Sequence, residues 1–294
     1  MGNSTVKESR TVLGVMAAIA ALVGLYLVFI APGFFDTTMD TLILKQSKQA
    51  TNITAGHLSR LYVGSIYSGI EILVGLALIS ISAALYSGKK WAWPLAMLLL
   101  SIPAMVNGYI GLGWLENLKL FPPAYITFFL SLVAFWVMLL LKKNDGKTKT
   151  AMFVIFTFLG LLGAQGFMLY PHALRVILKS PADALLDPAA AVLLRTGPLM
   201  FFVFIFAALA IWKLAQRKES GWYLALLTGL MMIIGAFPAH YARPLVASLV
   251  PKGSLAASIF TSTYWMAAAQ GVILVILLLI PFFKSRLFDK VEEE

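Results

Sequence analysis

The feature that most constrains this chain is a succession of apolar runs long enough to cross a bilayer. A transmembrane helix needs about 20 predominantly apolar residues. Eight stretches meet that length: residues 12–32, 64–87, 91–112, 121–141, 151–171, 197–215, 221–240 and 261–283. Between them they absorb most of the 294 residues, of which 60% are hydrophobic and only 12% charged. That charged share is about half of what a soluble domain carries. The mean hydropathy of +0.87 excludes a soluble globule and a disordered chain alike. The first run follows Lys7 and Arg10 as a signal peptide would, but it exceeds the ~7–15 residues of a signal core and reads as a retained helix. With no cysteine in the chain, disulfides, iron–sulfur clusters, thiolate metal sites and cysteine nucleophiles are excluded.

Orientation follows from the cations. With the N-terminus in the cytoplasm, 14 of the 23 Lys and Arg fall in inside segments and 9 outside. The inside segments are also the shorter ones. The positive-inside rule therefore places both termini in the cytoplasm of a cell or inner membrane. The net charge of +10 is accounted for by topology and anionic headgroups, with no nucleic-acid partner. Two outer segments, 33–63 and 172–196, are long and mix apolar faces with cations. Thr38 to Lys45 and Ala173 to Lys179 read as short helices on the outer membrane surface.

The chain also reads as one unit written twice. Ile43-Leu44-Lys45 recurs as Ile177-Leu178-Lys179, Arg60 as Arg195, Trp93-x-Leu95-Ala96-x-Leu98 as Trp222-x-Leu224-Ala225-x-Leu227, and Pro103-Ala104 as Pro238-Ala239. The offsets are 134, 135, 129 and 135, always in chain order. Four helices per unit is an even number, so the copies share one orientation and the repeat is parallel rather than inverted. The expected fold is an all-α integral membrane protein. Its eight transmembrane helices form two tandem four-helix bundles, 1–146 and 147–294, related by a pseudo-twofold axis along the membrane normal. Small residues at helix spacing mark close packing: Gly14 with Ala18, Ser65 with Gly69, Ser80 with Ala84, Gly160 with Gly163, and Ala267 with Gly271.

Chemistry has few places to reside. The three histidines are each followed three residues later by arginine: His57 and Arg60, His172 and Arg175, His240 and Arg243. All three pairs fall on the expected outer side, and positions three apart on a helix share a face. A titratable ring beside a permanent cation suits a carboxylate, a phosphate or a polarised carbonyl. Three readings compete. Arginine can snorkel to headgroups with histidine in interfacial water. An amphiphile, quinone or lipid, can sit at the outer face, hydrogen-bonded by histidine, Tyr109, Tyr170 and Tyr241. A b-type haem can hang between His172 and His240, with Arg175 and Arg243 on its propionates. Glu71 is the single acid inside a span and is expected to act as a ligand acceptor or proton relay, or to hydrogen-bond a neighbouring helix. Asn107, Gln165 and Gln270 read as polar contacts between helices.

Two parallel four-helix halves, with His57 opening the second helix after a long outer loop, resemble the layout of haem A synthases. That resemblance implies paired histidines on the even helices of both halves. The fourth, sixth and eighth runs here carry none, so the activity is not carried over. No nucleotide loop, HExxH, GxSxG or paired-carboxylate motif is present. The reading is a polytopic subunit of a respiratory-type or other envelope complex that binds quinone or lipid at its outer face and has membrane lipids and proteins as partners. The alternatives are a transporter or flippase of an anionic amphiphile, a haem b electron-transfer subunit, and a structural anchor.

Overall fold

A computed structural model describes residues 8–47, 65–118, 121–179, 182–249 and 260–288. Every element among them is helical: α1 Arg10–Phe29, α2 Ala31–Ser47, α3 Ser65–Tyr86, α4 Ala92–Leu118, α5 Ala124–Leu141, α6 Gly146–Lys179, a 3-10 turn Ala182–Leu186, α7 Pro188–Ala215, α8 Glu219–Ser248, α9 Phe260–Leu279 and α10 Pro281–Leu287. Seven of these (α1, α3, α5, α6, α7, α8 and α9) are long and apolar enough to cross a bilayer, as an integral membrane protein requires. The described part of each of the eight apolar runs is mostly helical, but the apolar part of α4, Ala92–Gly108, is shorter than the other seven.

The boundaries differ from the expected ones at the outer segments. α6 continues through Pro171 to Lys179, and α8 runs through Pro238 and Pro244 to Ser248. Proline inside a helix removes one backbone hydrogen bond, but packed neighbours in a membrane make that tolerable. α7 starts at Pro188 because Asp187 caps it, its Oδ1 accepting the Ala189 N–H at 2.7 Å. Aspartate at the cap with proline at the first helical position is a strong helix start. Most of the segment 172–196 is thereby drawn into α6 and α7.

The other expected surface helix is α2. It follows α1 after a break at Ile30 and buries Ala31, Phe35, Thr38 and Met39, which share one helical face. α2 packs on α1, α3, α4 and α5, so it covers one end of that group. Thr38 Oγ1 donates to the Phe34 carbonyl at 2.7 Å and accepts the Ala124 N–H at 3.2 Å. That bond satisfies one of the donors a helix start leaves open.

Close approach of backbones holds the helix pairs. At Gly24 of α1 an added Cβ would meet the Gly75 carbonyl of α3 at 2.7 Å, and the reverse contact is also 2.7 Å. α8 and α9 meet in the same way through Gly229 and Gly271, at 3.1 and 2.9 Å. Gly163 and Gly166 of α6 accept Met105 of α4 and the Met200 carbonyl of α7. Of the small residues singled out in the sequence, Gly163 and Gly271 therefore sit in tight contacts, whereas Gly69 and Gly160 face open space.

One arrangement occurs twice. Trp93 of α4 donates its indole N–H to the Met138 carbonyl of α5 at 3.0 Å, and Trp222 of α8 donates to the Leu278 carbonyl of α9 at 3.0 Å. A lysine just past the accepting helix covers each ring, Lys142 at 5.3 Å and Lys284 at 4.6 Å. The first and last described segments meet at this same end of the molecule. Glu8 pairs with Lys142 at 2.7 Å, and Arg286 approaches Asp145 at 3.9 Å. Asp145 caps α6, its Oδ1 accepting the Thr148 N–H at 3.0 Å and its Oδ2 the Thr148 hydroxyl at 2.6 Å. These bonds to Thr148, aided by Arg286, hold its carboxyl below the usual aspartate range.

α4 packs on α6 and α7 and so joins the first group of helices to the second. A closed twofold would require α8 to pack equally on α1 and α3, and it makes no comparable contact among the described residues.

Two measurements test this packing. Gly24→Leu should destabilise by about 1–3 kcal/mol through overpacking, and Gly69→Leu should be near neutral, read from unfolding in mixed micelles. Because Asp145 is depressed when folded, its contribution is complete above the ordinary aspartate pKa of ~3.9. It is lost as pH falls through the lower folded value. Asp145→Ala should cost about 1 kcal/mol at neutral pH and flatten the acid limb of a stability–pH profile. An unchanged acid limb would contradict the cap.

Candidate functional site

Charged and titratable side chains inside the helical body are few, and two groups of them carry the geometry. The first joins α6, α8 and α9. Arg243 is 1% exposed and lies on α8; His172 is 5% exposed and lies on α6. Arg243 Nη2 stands 3.1 Å from His172 Nε2. A guanidinium has only donors, so this contact is a hydrogen bond in the tautomer whose Nε2 carries no proton. Tyr264 of α9, fully buried, packs its ring 6.0 Å from that of His172 and donates its hydroxyl to the Leu169 carbonyl at 3.4 Å.

Their depth follows from helix rise. Arg243 lies about 36 Å along α8 from Glu219, and His172 about 39 Å along α6 from Gly146, at ~1.5 Å per residue. The pair therefore lies at the end of the helical body away from the tryptophan–lysine end.

The arginine is thus paired across helices rather than with the histidine three residues before it. His240 is half-buried and meets Tyr241 edge-on at 5.0 Å and Trp265 at a tilt at 6.3 Å. Tyr170 turns to α7, with its ring 5.3 Å from Phe201. Tyr109 and Arg175 lie on α4 and α6, with their side chains outside the described residues, and His57 and Arg60 fall outside them altogether. A haem between His172 and His240 does not fit this geometry. The Nε2 that would take the iron is set against Arg243 instead. Among the described residues, no group of three or more His, Asp or Glu could hold a metal ion.

The second group joins α3 to α4. Glu71 is 1% exposed, and its Oε1 accepts the Asn107 side-chain N–H at 2.6 Å. Asn107 Nδ2 also donates to the Pro103 carbonyl at 3.0 Å. One turn before Glu71, the buried Tyr67 stacks on Phe35 at 5.6 Å and meets Phe167 of α6 edge-on at 4.6 Å. Phe167 continues to Phe204 at 5.2 Å. This aromatic series crosses from the first group of helices to the second.

On the other side of α4 lies an apolar cleft of ≈ 230 Å³ between α4, α5 and α6, bounded also by Ile211 of α7. Phe128, Phe135, Trp136, Phe153 and Phe156 form its walls. Its two hydroxyls, Ser101 and Thr157, are turned onto their own helices by bonds to the carbonyls of Leu98 and Phe153. The cleft therefore offers contact to hydrocarbon and nothing to a polar head.

Tyr264 and Tyr67 were not singled out in the sequence. For Tyr264 a signal exists: Ser262-Thr263-Tyr264-Trp265 opens an apolar run at the end where His240 also lies. Nothing in the local sequence marks Tyr67.

A double-mutant cycle tests the pairing. His172→Phe and Arg243→Met should couple by about 2 kcal/mol, as for a hydrogen bond to a charged group, whereas His240→Phe and Arg243→Met should be nearly additive. Stronger coupling to His240 would contradict the arrangement. In comparison with known proteins, no family model matches the chain, and no curated protein or solved structure is similar to it.

Proposed function

We propose that this chain is a polytopic subunit of a respiratory-type or other envelope membrane complex that binds an amphiphile, a quinone or a lipid, at its outer face. In this reading it crosses the membrane eight times as two tandem four-helix units, 1–146 and 147–294, with both termini in the cytoplasm. The paired Trp–carbonyl–Lys arrangements support the repeat. The common location of Glu8, Asp145 and Arg286 supports an even number of crossings.

One observation carries the binding proposal: a guanidinium that is 1% exposed and set against an imidazole at the end of the bundle away from the tryptophans. An ionisable residue buried in a membrane helix is expensive and marks a functional position by default. Arginine snorkelling into water would be exposed, and Arg243 is not. Its donors suit the carbonyl of a quinone or the phosphate of a lipid, while Tyr264 and His172 supply a ring wall beside them. A partner subunit would carry any redox step of electron transport. The buried cation Arg243 also favours a second reading, transport of an anionic amphiphile.

The test is what co-purifies. Protein taken up in nanodiscs from native membrane should retain quinone or an anionic lipid in solvent extracts. Arg243→Met should lower that occupancy about tenfold, the loss expected for one charge-assisted hydrogen bond. Equal retention by the variant would contradict the site. Flux of an anionic lipid in liposomes by this chain alone would favour the transport reading.

A further inference from the structure

The pair formed by Glu71 and Asn107 poses a counting problem that the proposed amphiphile site does not touch. Asn107 donates to Glu71 Oε1 at 2.6 Å. Glu71 Oε2 and Asn107 Oδ1 are both buried and have no hydrogen-bond partner among the described residues. Both residues are 1% exposed. Asn107 lies about 22 Å along α4 from Ala92 at ~1.5 Å per residue, inside a hydrocarbon layer ~30 Å thick. Water is not at hand to supply donors there, and each unsatisfied acceptor costs several kcal/mol.

We propose that Glu71 is an intramembrane proton-binding site, in which one proton held on Oε2 is donated to Asn107 Oδ1. A single proton then removes the buried charge and satisfies both orphan acceptors. With the Asn107 N–H already on Oε1, the result is a closed carboxylic acid–carboxamide pair across α3 and α4. No bond other than the O–H is formed or broken.

The surroundings favour the neutral form. α3 and α5 carry no basic residue, α1 has one only at its start, Arg10, and α4 has none. The packed elements also carry phenols and acids: Tyr26 of α1, whose hydroxyl is shared with Thr127 of α5 at 2.9 Å, Tyr67 one turn earlier on α3, Asp36 and Asp40 of α2, and Glu116 of α4. Their cations lie toward the helix ends, Lys45 of α2, Lys147, Lys149, Arg175 and Lys179 of α6, and Arg195 and Lys213 of α7, and the His172 ring of α6 is set against Arg243. Among the described residues no ion pair reaches the Glu71 carboxyl. Loss of the proton would leave a charge and two facing acceptors between α3 and α4. Proton release is therefore coupled to separation of these two helices, and α4 is the helix that joins the two units.

Infrared difference spectroscopy of the full chain in nanodiscs tests this. At neutral pH the wild type minus Glu71→Gln spectrum should show the C=O stretch of a protonated carboxylic acid, shifted down in D2O. Asn107→Leu removes the partner amide and should move that band to higher frequency, as expected for a less hydrogen-bonded acid. Glu71→Gln, whose amide can donate in place of the acid, should keep the thermal midpoint of the wild type. A carboxylate band in place of the acid band at neutral pH would overturn the proposal, as would an acid band that is unchanged in Asn107→Leu. Neither result depends on amphiphile binding at Arg243.

Discussion

A polar group buried in a bilayer has no water to fall back on, so its partner must come from another helix. In a chain with so few polar residues in its spans, that requirement decides which helices meet and in what register. Asn107 can reach Glu71 only if α4 lies against α3 at one height. Arg243 can reach His172 only if α8 lies against α6 at one height. The indoles of Trp93 and Trp222 impose the same condition at the other end, each seeking a carbonyl on the next helix. Close glycine contacts then supply the dispersion attraction that apolar helices in lipid otherwise lack.

These polar junctions share a plan. Each uses the third long helix of its group, and each lies about one turn past a Pro-Ala step, Pro103-Ala104 or Pro238-Ala239. They differ in chemistry, one joining a carboxyl to an amide and the other a guanidinium to an imidazole. The aromatic series Phe35, Tyr67, Phe167 and Phe204 links the two groups of helices.

Much of the fold is legible from hydropathy, because a run of apolar residues can do little in a cell except enter a membrane. The described part of each of the eight runs is mostly helical. What is not legible is the end of each helix, since Pro171, Pro238 and Pro244 end a helix in water but not in a packed membrane bundle. Pairings across helices are equally hidden. The spacing of His240 and Arg243 suggests a pair, yet the partner of Arg243 is a residue 71 positions away. Gly24 and Gly75 give no local sign of touching, and Gly69, which does carry a sign, touches nothing. Glu71 stands out as a lone acid in a span, and Asn107 becomes its partner only when α3 and α4 are brought together.

The account depends most on the two tryptophan ends sharing one membrane face and Arg243 lying at the other. The chain has no cysteine, so single cysteines can be read without background. Ser87→Cys, Ser220→Cys and Ser285→Cys should react with a membrane-impermeant maleimide from one and the same side, and Ser248→Cys only from the other. Labelling of Ser87→Cys and Ser220→Cys from opposite sides would contradict the parallel arrangement and the placement of both polar junctions.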